Sequence, residues 1–170
     1  MNADDLRAVQ APLKDQYKAV PESAVITLSS KGELDADDVV CRVETGKALV
    51  AAGLHPATGG TGAFACSGNM LLDALVACAG VTLKAVATAI GFELKGGSVS
   101  AEGDLDFRGT LGVAKEAPVG FREIRLSFHL DTAEPQERID QLTKLTERYC
   151  VVFQTLAKPP VMSLAVHRHG

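Results

Sequence analysis

The feature that most constrains this chain is the apolar run from Asn69 to Phe92, which holds only two charges, Asp73 and Lys84. At 3.6 residues per turn the eleven residues between them bring both charges back to within ~20° of one helical face. Thr88 falls on the same side. Each of these charges would cost about 3 kcal/mol at the centre of a bilayer. The run therefore reads as a core helix with one narrow polar stripe, buried almost everywhere else, and needs no membrane. A small sheet covers only one side of such a helix. Its centre, Ala77-Cys78-Ala79-Gly80, is small enough for a second helix backbone to approach, and another copy of the chain is the simplest supplier, giving a two-fold homodimer.

The remaining sequence frames that helix. A length of 170 residues suits one domain, and 17 Lys+Arg against 21 Asp+Glu leaves no basic footprint for nucleic acid. Four cysteines are too few for a disulfide scaffold. The first twenty residues place acids before their first base and contain no continuous apolar core, unlike a secretory or transit leader, so a cytoplasmic location is expected.

Residues 2–18 read as an amphipathic helix with Asn2 as cap, kinked or ended by Pro12, so that 1–23 form a helical extension and 24–170 the main domain. Ala24–Ser30 and Asp38–Thr45 read as paired strands about Lys31-Gly32, with Ala48–Leu54 a third. A Gly-rich connection from His55 to Gly68 precedes the long helix, with Ser67 as its cap. Ser98–Arg108 and Phe121–Thr132 form further strands, the second alternating Ile124, Leu126, Phe128 and Leu130 against Arg125, Ser127 and His129. The Pro- and Gly-containing loop between them reads as a mobile hairpin tip. Thr132 caps a second helix with a buried stripe of Ile139, Leu142, Leu145 and Tyr149, and Val161–Arg168 forms a last strand. The order implies an α+β domain with antiparallel sheet packed on two main helices.

Nucleotide-loop, zinc-protease, redox CxxC and serine-hydrolase motifs are all missing, and no cofactor or metal set emerges. His167 and His169 share a strand face but lack a third ligand, and His55 and His129 have no partner in sequence. Among the cysteines, Cys41 reads as strand core, and Cys66 lies outside the helix cap. Cys78 sits ~140° around the long helix from Asp73, toward the interior or a pocket. It is too far from its own helix N-terminus to gain acidity there, so a thiolate would need a nearby cation. Cys150 closes the second helix. Spacing does not decide between inert core thiols and a redox pair.

The run HPATGGTGAFACSGNMLLDALVACAGVTLKAVA, from His55 to Ala87, together with LTERYCVVFQTL around Cys150, resembles the osmotically inducible protein C (OsmC) family and its organic hydroperoxide resistance relatives. The resemblance covers roughly residues 24–168. It implies an intertwined homodimer with active sites between subunits. Cys78 would be the peroxidatic thiolate, oxidised by an organic hydroperoxide to a sulfenic acid, and Cys150 the resolving thiol that condenses with it to a disulfide. A dithiol reductant, lipoyl-type in the better-known relatives, would restore both. Relatives carry a Glu where Gly68 stands here and a Pro where Val151 stands. They draw an activating Arg from the N-terminal sheet region, for which Arg42 is the candidate. The resemblance thus implies a thiol peroxidase of oxidative stress defence. The replacement at Gly68 motivates the alternative, a non-catalytic dimer that binds an apolar small molecule.

Overall fold

The computed structural model describes residues 3–34, 41–43, 52–166 and 168, with side chains from residue 8 to 27 and from 52 onward. Helix α1 (Ala3–Ala19) leads through a 3-10 turn (Pro21–Ala24) into strand β1 (Val25–Leu34), and β2 (Cys41–Val43) follows. A second 3-10 turn (Pro56–Thr58) precedes the long helix α2 (Ser67–Ala89). Strand β3 (Gly96–Asp106), the short helix α3 (Phe107–Thr110), strand β4 (Phe121–Asp131) and helices α4 (Gln136–Tyr149) and α5 (Val151–Ala157) complete the chain.

The strands form one antiparallel sheet in the order β2-β1-β3-β4. Alternation in β3 and β4 sets its register: Val99 lies opposite Phe128 and Ala101 opposite Leu126, on the face that α2 covers. Gly103 belongs to that row because a Cβ there would stand 2.5 Å from the Phe121 ring. On the opposite face Arg125 binds Asp104 through both guanidinium branches, at 2.7 and 3.1 Å. Leu72, Leu75, Val76, Ala79, Leu83 and Ala87 of α2 meet Val99, Ala101 and Leu142 to form the main core. A second cluster, Tyr17, Ala24, Phe107 and Leu111, fixes α1 against α3.

The α+β architecture and the paired strands agree with the sequence reading, whereas several details differ. Strand β1 runs through Lys31-Gly32 instead of turning there, since Gly32 is paired on both sides, to Val43 and to Val99. Of the proposed third strand, Ala52 makes one parallel bridge to Ala65, Gly53 and Leu54 are not strand, and 48–51 lie outside the described residues. Asn2 also lies outside them. Helix α1 continues past Pro12, its second half anchored by the buried Tyr17, whose hydroxyl donates to the Ala57 carbonyl at 2.7 Å.

The loop after β3 is packed, with Leu111 and Ala117 buried, so it is not a free hairpin tip. Pro135, not Thr132, occupies the cap position of α4, and the Thr132 hydroxyl instead accepts from the Glu134 amide. Tyr149 is exposed, because the buried line of α4 runs through Leu142 and Thr146 to Cys150. Val161 to Val166 form no strand and stand almost fully exposed, since a strand needs a free edge to pair with and this segment reaches none.

Helix α2 reverses one expectation. It is long and apolar enough to cross a membrane, yet half of its most apolar window is buried within the domain. The two charges of its polar stripe do not face water, Lys84 being buried and Asp73 half-buried, neither without a partner, whereas Thr88 at the end of the stripe is exposed. The exposed side is mostly apolar, carrying Met70, Leu71, Val81 and Ala85, with Thr88 near its end.

Candidate active site

Helix α2 carries Cys78 past the junction of α4 and α5, and that junction is Cys150 itself. Cys150 adopts an extended conformation, φ −72° and ψ 107°, which ends α4 and starts α5 as its N-cap. Its amide still bonds the Thr146 carbonyl at 2.9 Å, and its carbonyl accepts from Gln154 at 2.9 Å. The Gln154 side chain bonds the Glu147 carbonyl at 2.8 Å, an acceptor that the amide of Val151 would use in an unbroken helix. The Cys150 sulfur takes the role of a capping oxygen and accepts from the Phe153 amide at 3.5 Å.

The two remote thiols, both reduced, meet at this break in a hydrogen-bonding contact. Their proton affinities move in opposite directions. Burial pushes the Cys78 thiol up, but donors outweigh it: the Val152 amide first, then the Cys150 thiol, the Thr82 hydroxyl and the Val151 amide, so that Cys78 falls below its ordinary value. Burial pushes Cys150 up to about 11, and the neighbouring Cys78 adds to the rise. The site therefore favours an anion on Cys78 and a proton on Cys150, the polarity required of an attacking thiolate beside a waiting thiol.

The expectation of a cation beside Cys78 rests on Arg42, whose side chain lies outside the described residues. The groups that lower Cys78, among the described residues, are neutral donors, two of them amides that the α4–α5 break leaves without helical partners. Thr82 lies four residues beyond Cys78, the spacing that places helical side chains side by side. Sequence reasoning missed it, although that spacing could have found it. The two amides carry no side-chain signal.

Arg42 lies on β2 opposite Glu33, in a strand that packs against α2, and its side chain falls outside the described residues. The side chain of Cys41 does so as well. Gly68 occupies the first turn of α2, about 15 Å along the axis from Cys78. Cys66 is the N-cap of α2, with Ser67 its first helical residue, and makes no side-chain capping bond. It stands about 18 Å along the axis from Cys78, too far to join the pair.

His55 stacks on Phe107 at 4.8 Å, and its Nδ1 accepts from the Ala57 amide at 3.0 Å. Burial lowers its pKa, which suits a neutral structural imidazole. His129 is exposed, and His167 and His169 lie outside the described residues. No cluster of metal-ligating side chains occurs among the described residues.

A four-stranded antiparallel sheet under a long apolar helix, with two thiols joined at a helix break, defines an α+β dithiol protein. Residues 60–165 match the family described as OsmC-like protein, and the chain belongs to that family. Its fold is similar to that of an OsmC-like hydroperoxide resistance protein from Jannaschia sp. CCS1, at 16% identity and a TM-score of 0.57 over 82% of this chain and 91% of that one. No curated protein matches the sequence.

Proposed function

We propose that the protein is a thiol-dependent peroxidase that reduces organic hydroperoxides in oxidative stress defence. The observation that carries this reading is the contact between a thiol of lowered pKa, Cys78, and one of raised pKa, Cys150. The Cys78 thiolate attacks the terminal oxygen of the hydroperoxide. The O–O bond breaks, the alkoxide leaves and takes a proton as alcohol, and Cys78 becomes a sulfenic acid. The Cys150 sulfur then displaces hydroxide, which leaves as water with the Cys150 proton, and a Cys78–Cys150 disulfide forms. A dithiol reductant, with a lipoyl group as the candidate, returns both thiols. No cofactor or metal takes part. Arg42 is proposed to add positive charge near Cys78.

Membership of the OsmC-like family supports this chemistry. So does the likeness of fold to a hydroperoxide resistance protein, although that resistance is a property of the Jannaschia protein itself. We further propose a cytoplasmic location and a homodimer, the dimer supported by the exposed apolar residues of α2 and the exposed Val161, Met162, Leu164 and Val166. A stable monomer on gel filtration at low concentration would refute the dimer. For the chemistry, Cys78→Ser abolishes turnover of cumene hydroperoxide with a dithiol, and peroxide-treated wild type carries the Cys78–Cys150 bond in peptide mass spectra. Both thiols remaining alkylatable after peroxide would instead favour the non-catalytic, ligand-binding reading.

A further inference from the structure

We propose that helix α1 is a strap clasped onto the domain by the neutral His55 ring, and that uptake of a proton at His55 Nδ1 releases it. This does not depend on the peroxidase reading. The turn that His55 opens is ordered from both ends of that residue. Its Nδ1 accepts from the Ala57 amide at 3.0 Å. Its carbonyl accepts from the Thr58 amide at 2.8 Å, the Thr58 hydroxyl at 2.9 Å and the Gly60 amide at 3.1 Å. The same turn receives α1. The Tyr17 hydroxyl donates to the Ala57 carbonyl at 2.7 Å, and the Gln10 side-chain amide donates to the Thr58 carbonyl at 3.2 Å. Val9 packs so closely on Gly59 that a Cβ there would stand 2.5 Å from a valine methyl. Every polar bond from α1 to this turn thus ends on a carbonyl that the His55 cap helps to aim.

A neutral imidazole has one nitrogen that accepts, and here it is Nδ1, whereas both nitrogens of the imidazolium donate. A proton at Nδ1 therefore sets one N–H against another, and the cap is lost. The ionisable groups on the elements packed against the turn, among the described residues, are Lys14 and Tyr17 on α1 and Arg108 on α3. Lys14 shares the inner face of α1 by its four-residue spacing from Gln10, and its charge opposes an imidazolium. Burial holds Tyr17 above its ordinary 10.0, so its hydroxyl stays a donor. Asp106, the carboxylate that caps α3, is taken by Arg108 through three side-chain hydrogen bonds. Asp15 and Lys18 are exposed and pair with each other. Burial lowers His55 below 6.5, so the clasp is complete above that pH and weakens as pH falls beneath it. Release of α1 bares the cluster it covers, Phe107, Leu111 and Ala24.

The test is hydrogen exchange of the whole protein read by peptide mass spectrometry at about pH 7.5 and about pH 5, as protection relative to the intrinsic rate at each pH. Protection of the α1 amides falls on acidification, by up to about tenfold per pH unit for one coupled proton, while that of α2 is unchanged. His55→Asn supplies a capping oxygen that does not titrate, and it keeps α1 protected at both pH values. His55→Ala, with no acceptor, leaves α1 weakly protected at both. Equal α1 protection of the wild type at the two pH values overturns the proposal. So does a loss in His55→Asn as large as that of the wild type, since another group would then carry the proton. A loss that spreads to α2 in step with α1 also overturns it, because the event would be unfolding of the domain.

Discussion

Replacing Thr82 by Val removes one donor from Cys78 and keeps nearly the same shape. The Thr82 hydroxyl ranks behind the Val152 amide and the Cys150 thiol among the groups that lower Cys78. Hydrogen bonds to a charged group contribute about 1.5–3 kcal/mol, and the half-buried setting of Cys78 argues for the low end. About 1.4 kcal/mol is a factor of ten in the thiolate population wherever the thiol form dominates. A less stabilised thiolate is also the stronger nucleophile, and a Brønsted slope of about 0.4–0.5 returns roughly threefold. The net expectation is oxidation of Cys78 slower by about three- to fourfold on the acidic limb of the rate profile, vanishing or reversing where both proteins are fully ionised. The assay is single-turnover oxidation by cumene hydroperoxide across pH, alongside iodoacetamide labelling of Cys78 read by peptide mass spectrometry. Thr82→Ser, which keeps the hydroxyl, returns the profile to that of wild type. A Thr82→Val profile superimposed on wild type, or a Thr82→Ser profile as displaced as Thr82→Val, would refute the donor argument.

Val151→Pro deletes the weakest of the four donors, and the change is accommodated, because Val151 is the first residue of α5 and Cys150 already has the extended geometry that precedes proline. Its labelling profile moves in the same direction as that of Thr82→Val, by less. Leu142→Ala empties a fully buried site and lowers stability by about 2–5 kcal/mol, read as a lower urea midpoint at unchanged slope. Asp104 is lowered from 3.8 to about 2, chiefly by its hydrogen bonds from Arg125, so its stabilising contribution is complete above pH 4 and disappears as pH falls toward 2. Asp104→Asn therefore flattens the acid loss of stability in that window, and an unchanged acid-unfolding curve would count against the pairing.

How far the sequence reveals this arrangement depends on whether its determinants are local. The alternation of Ile124, Leu126, Phe128 and Leu130 marks β4 because the sheet has one packed face, and the apolar density of α2 marks a core helix wherever it lies. Gly32 misleads because its glycine-turn signal is overridden when strands pair on both sides. Val161 to Val166 mislead in the opposite way, with the composition of a strand but no pairing to the sheet, whose edge strand β4 bonds only β3. The polar stripe of α2 misleads because periodicity shows that Asp73 and Lys84 share a face, not which face water sees. At the site, periodicity turns Cys78 away from the polar stripe, toward the interior or a pocket, and sets Cys150 at a helix end. Only the resemblance to a family brings them together, since sulfurs 72 positions apart leave no trace of contact in spacing.

The helix break explains why these properties arise together. If α4 ran on into α5, the amides of Val151 and Val152 would bond the Glu147 and Arg148 carbonyls and be lost to Cys78. The extended backbone at Cys150 withholds both, and Gln154 occupies the vacated Glu147 carbonyl, so the break is not left with an orphaned acceptor. The same turn buries the Cys150 sulfur against Cys78, and that burial, which outweighs the Phe153 amide's opposing hydrogen bond, keeps its proton in place. Acidity on one thiol and its absence on the other thus follow from one backbone conformation. This makes the polarity of the pair a property of the α4–α5 junction, and it accounts for how a chain with Gly68 in place of an acidic residue can still favour an anion on Cys78.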